Sequence, residues 1–113
     1  MNINMNQITK NKMDNEFKLA NTNISVLNLS RRAYNAIYIR YNNLYKLSRI
    51  TIEDLYKIRG LGTVIVKEIV DKLNDKGIYI EHATIKNIKT GQIKYISKNN
   101  KSKYKTWVFI ESE

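Results

Sequence analysis

No cysteine occurs among the 113 residues of this chain, so neither a disulfide framework nor a thiolate metal site is available to it. The absence suits a reducing compartment. Histidine is almost as scarce. His82 is the single one, without clustered carboxylates beside it; a metal therefore lacks a ligand set, and a histidine base lacks an orienting partner. No apolar run approaches the roughly 20 residues that span a bilayer, and the polar N-terminus has no apolar signal-peptide core. Neither a nucleophile elbow nor a Walker-type phosphate loop is present. Glu53 and Asp54 come nearest to paired carboxylates, yet adjacent helical residues point about 100° apart. These absences lead to the expectation of a cytoplasmic, non-enzymatic protein with no cofactor, no metal and no membrane partner.

Acidic residues are also in short supply. Ten Asp and Glu stand against 20 Lys and Arg, a formal net charge of +10. A protein so basic is drawn to polyanions, of which nucleic acid is the usual one in the cytoplasm. Two plainer causes compete: charge that serves solubility alone, and an A+T-rich coding sequence that raises lysine, asparagine and isoleucine together.

The length suits one domain with an appendage. Residues 1–22 are polar and read as a disordered or weakly helical tail. From Ile24 to Ile78 the apolar period becomes helical. Ser30 is a good N-cap for a helix over Arg31 to Tyr41, with Ala33, Ile37 and Tyr41 on one stripe. "NNLYKLS" gives a short second helix. Thr51 caps a third, whose first turn holds Glu53 and Asp54, where the helix dipole favours anions. The fourth runs from about Thr63 to Lys76 with Val66, Ile69, Val70 and Leu73 inward, and Gly77 stops it. After Tyr79 the period falls to two. "ATIKNIKTGQIKYIS" reads as two strands about a turn at Thr90 and Gly91, and "YKTWVFIES" as a third. The expected fold class is α+β: a compact bundle of four short helices over residues 23–78 with a helix-hairpin-helix motif. A basic β-hairpin or three-stranded meander over 79–113 follows it.

Of the four glycines, Gly60 and Gly62 stand one residue apart between the third and fourth helices. A turn this tight needs residues free to take positive φ. The unsatisfied N–H groups at the start of the next helix then face outward beside them, a ready anion site. The alternative is an αα turn that needs glycine for geometry alone. Arg31 and Arg32 pose a similar choice. They occupy a first helical turn, where the dipole disfavours cations, which makes sense if an anion sits alongside. Otherwise they are two solvated surface arginines.

The stretch from Ile24 to Ile78 contains "LNLSRRAYNAI", "LYKLSRITIEDLYKIRGLG" and "EIVDKLNDKGI" in that order. It resembles the C-terminal domain of the bacterial RNA polymerase α subunit, apart from a one-residue deletion near Tyr41 to Asn43. The resemblance implies a compact helical unit of helix-hairpin-helix character that binds the minor groove of A+T-rich DNA upstream of promoters and contacts transcription factors. It implies that Arg32 enters the groove, that Asn35 contacts the backbone region, that Gly62 is the hairpin glycine, and that Glu68 belongs to the DNA-binding surface. Where that family carries Lys-Ser after the glycine, this protein has Val64 and Ile65, which removes a charge and a hydroxyl. Arg31, Arg59, Thr63 and Lys67 are the candidates to compensate. An exposed Val64–Ile65 pair would instead form a protein-contact patch. A stand-alone relative without the α subunit's assembly domain is the form expected.

The expected DNA interface is thus Arg31, Arg32, Asn35, Arg59, Gly60, Gly62, Thr63, Lys67 and Glu68, on A+T-rich duplex, in a nucleoid-associated protein that modulates transcription. The alternative is a protein-interaction module that docks on RNA polymerase or a transcription factor through Val64 and Ile65. A third reading stacks single-stranded bases on Tyr95, Tyr104 and Trp107 beside the C-terminal lysines, although Trp107 reads first as the core of the sheet.

Overall fold

The computed structural model of the protein describes residues 16–99 and 106–110. The rest of the expected N-terminal tail lies outside the described residues, as do Tyr104 and the lysines at 101, 103 and 105. Residues 16–20 are helical, and Leu19 packs against the core. A 3₁₀ turn, Ile24–Leu27, leads into four α-helices: α1 (Arg31–Ile37), α2 (Leu44–Ser48), α3 (Ile52–Lys57) and α4 (Thr63–Asp75). Three strands follow, β1 (Ala83–Asn87), β2 (Ile93–Ile96) and β3 (Trp107–Ile110). The architecture is α+β.

Short helices of this kind do not hold themselves in water; packing and caps do it for them. Each of the first three has a polar residue at its N-cap. Ser30 Oγ accepts from the Ala33 amide at 3.2 Å, and Asn43 Oδ1 from the Lys46 amide at 2.9 Å. Thr51 and Asp54 form a reciprocal capping box. Behind the caps lies one apolar cluster, to which α1 gives Ala33 and Ile37, α2 gives Leu44 and Leu47, and α3 gives Ile52 and Leu55. α4 contributes Ile65, Val66, Ile69, Val70 and Leu73 along one face. It closes in a Schellman motif: the Gly77 amide donates to Asn74 O and the Ile78 amide to Leu73 O, both at 2.9 Å, with Gly77 at φ 79°.

Two local expectations are corrected. α1 ends at Ile37 rather than Tyr41, because the backbone leaves the helix to pair with the segment before it. The Ile24 amide donates to Asn42 O, the Leu44 amide to Thr22 O, and Asn23 and Asn43 form an antiparallel bridge. The second concerns strand order, which is β2-β1-β3 with both pairings antiparallel, so the third strand does not continue a meander from the second. β2 is the strand that packs on α3 and α4, and its Tyr95 carbonyl accepts from the Tyr56 hydroxyl of α3. The third strand therefore adds to the far edge of β1. The sheet's inward residues are Ile85 and Ile96, both fully buried; Trp107 is only half-buried.

Candidate nucleic-acid interface

The turn between α3 and α4 divides its work among three residues. Gly60 takes φ +88°, a left-handed conformation that L side chains rarely adopt. Leu61 is buried and pins the turn into the core, its amide donating to Ile58 O at 3.2 Å. Gly62 is the N-cap of α4 and is extended, at φ −95° and ψ −178°. Only the first glycine is therefore required by backbone conformation. The second matters for what it leaves out. A Cβ built on Gly62 would meet nothing within 4 Å, so the space beside that residue is open. Unlike α1, α2 and α3, α4 starts without a polar side group bonded to its first-turn amides. These amides begin a 13-residue helix whose dipole lies behind them.

α1 is fastened beside this helix by one charged contact. Glu68, in the second turn of α4, accepts from the Ser30 amide at 2.5 Å and from Ser30 Oγ at 2.8 Å. Ser30 is itself the N-cap of α1. The carboxylate thereby fixes the point where α1 begins, and with it the origin of Arg31, Arg32 and Asn35, all three exposed. Sequence spacing gave no hint of this link, since the partners stand 38 residues apart. Among the described residues neither Arg31, Arg32 nor Arg59 enters an ion pair.

Other expected members fare differently. Lys67 is committed to Asp71 at 2.8 Å and lies 5.3 Å from the centre of the Tyr95 ring. Tyr95 donates its hydroxyl to the other Asp71 oxygen at 2.5 Å. Burial, and then the Asp71 carboxylate, push that phenol up to about 12, so it stays a donor at neutral pH. These three residues join β2 to α4. Thr63 is half-buried at the head of α4. Val64 is 72% exposed, but Ile65 is part of the core. The expected apolar pair is thus one residue on the surface and one inside it, because position 65 falls on the stripe of Ile69 and Leu73.

Two residues beyond Tyr95, Ser97 donates to Glu53 of α3, and that hydrogen bond holds the carboxyl below the usual range. His82 lies between Tyr79 and Tyr95, with ring centroids 5.6 and 4.1 Å away, and its Nδ1 is 2.6 Å from Ile80 O. Among the described residues no group of three or more His, Asp or Glu is placed to hold a metal, and no helix is long and apolar enough to cross a membrane.

Residues 10–75, more than half of the protein, match the family of the C-terminal domain of the bacterial RNA polymerase alpha subunit. The protein belongs to that family. The domain is a DNA-binding, transcription-related and non-enzymatic one, whose members work with RNA polymerase and transcription factors. No curated protein and no solved structure matched the sequence. The matched span takes in the four helices and reaches the end of α4, leaving the sheet beyond it.

Proposed function

We propose that the protein binds A+T-rich duplex DNA and thereby modulates transcription. Arg32 enters the minor groove, Asn35 contacts the adjoining backbone, and the first-turn amides of α4 hold a phosphate in front of Gly60 and Gly62. The observation that carries this reading is the Ser30–Glu68 contact. It couples the start of the arginine-bearing helix to α4, whose first-turn amides no side group bonds. A narrow A-tract groove has enhanced negative potential and draws in arginine, while bare amides at a helix start suit a phosphate oxygen. Arg31 and Arg59, exposed and without ion pairs among the described residues, supply the non-specific share of the attraction.

A second reading has one observation in its favour. Val64 stands 72% exposed in the first turn of α4, where a cation would serve a phosphate better, and it would dock on RNA polymerase or a transcription factor. One assay separates the two. Fluorescence anisotropy with an A-tract and a G+C-rich duplex should show tighter binding to the A-tract, with the difference lost in Arg32→Ala at a cost of about tenfold or more. Indifference to both sequence and Arg32, together with loss of captured RNA polymerase on Val64→Asp, would favour the protein-docking reading instead.

A further inference from the structure

The β-hairpin lies outside the span matched by the family, and it is the most one-sided stretch of charge in the protein. Between His82 and Ile110 there are seven lysines and neither Asp nor Glu. Two of the described ones are engaged: Lys94 lies over the Tyr56 ring at 5.7 Å, and Lys98 pairs with Glu81 at 3.7 Å. Lys86 and Lys89 are exposed and enter no ion pair among the described residues. Lys86 stands on β1 opposite Ile93 and Val108; Lys89 stands in the turn.

The contacts of β2 fix the direction in which this turn points. At one end Ser97 meets Glu53, near the start of α3. Two and three residues earlier, Tyr95 and Lys94 meet Tyr56, near its end. Traced from Ser97 toward Ile93, the strand thus follows α3 toward Arg59 and Gly60. Gly91 is four residues beyond Tyr95, about 13 Å at the rise of a strand. The ribbon therefore projects at the end of the molecule that carries the glycine turn and the open start of α4. Its tip is firmly built. Asn87 Oδ1 accepts from the amides of Lys89 at 2.8 Å and Thr90 at 3.0 Å, and the Gly91 amide donates to Asn87 O at 2.9 Å.

We infer that this hairpin is a second DNA-contacting element, in which Lys86 and Lys89 hold the phosphate backbone of the duplex next to the segment engaged by α1 and α4. The inference rests on the DNA-binding reading above and extends it to a part of the protein that the family domain does not include. Contacts of this sort position a protein without reading sequence. Their signature is therefore salt dependence rather than base preference.

The test is anisotropy of the full-length protein on the A-tract and G+C-rich duplexes across a salt series, for wild type, Lys86→Gln/Lys89→Gln and Arg32→Ala. Removing two phosphate cations should flatten the slope of log K against log[salt] by about 1.8. Between 50 and 200 mM salt the wild type would then lose about tenfold more affinity than the double variant. The A-tract preference should survive in that variant, and Lys86→Arg/Lys89→Arg should restore the slope. A wild-type slope in the glutamine variant overturns the inference while leaving the minor-groove reading intact. A wild type that binds neither duplex overturns both.

Discussion

Glu68 turns its carboxylate back onto Ser30, and that one residue shows how a surface position can act through the fold. Its two oxygens satisfy the Ser30 amide and hydroxyl, while the same hydroxyl oxygen accepts from the Ala33 amide. A three-member relay therefore sets where α1 starts. Hydrogen bonds to a charged group contribute about 1.5–3 kcal/mol each when sheltered; this contact is open to solvent, which places it toward the lower figure. Ser30→Ala and Glu68→Ala should each lower stability by about 1–2 kcal/mol. Together they should cost less than the sum, with a coupling of about 1 kcal/mol, because both remove the hydroxyl–carboxylate bond, while the bond from the residue-30 amide is lost only with Glu68. Urea unfolding of the two single variants and the double one measures it. Strict additivity would show that the bond between the Ser30 hydroxyl and the carboxylate contributes nothing to the cap.

At the scale of elements, what could be read from the sequence was what is decided locally. Ser30 and Thr51 cap the helices expected of them, and Gly77 stops α4 because only a residue at ease with positive φ can close the Schellman motif. Gly77→Ala should accordingly destabilise the protein by about 1–2 kcal/mol, the cost of a left-handed residue with a Cβ, read as a lowered Tm with the fold retained. What stayed hidden was decided at long range. α1 stops early because Asn42 and Asn43 are needed by the backbone at Thr22 to Ile24, and no periodicity within α1 records that demand. The strand order depends on which edge of the hairpin the helices already occupy. Of the candidate site, the exposed arginines and the glycine turn were legible because composition and spacing mark them. The Ser30–Glu68 and Lys67–Asp71–Tyr95 contacts were not, since each depends on how separate elements pack. Ile65 sits on the helical stripe of Ile69 and Leu73, and was drawn to the surface only by matching it to a family position that is polar.

Across the whole molecule, the helices and the sheet are fastened to each other through β2. Tyr56 bonds the Tyr95 carbonyl, and Tyr95 in turn bonds Asp71 on α4, so the strand is held from two helices at once. β1 is hydrogen-bonded to β2, and β3 to β1, so the other two strands are joined in series to the one that is held. The one tryptophan stands on β3, at the opposite edge of the sheet from β2. Its fluorescence consequently reports the sheet, while far-ultraviolet circular dichroism is dominated by the helices. Two optical probes thus view two halves of one molecule without any label. If the fastening through Tyr95 makes a single cooperative unit, both signals will change at the same urea concentration. A fluorescence midpoint below that of the dichroism would mean that the ribbon detaches while the helical domain still stands.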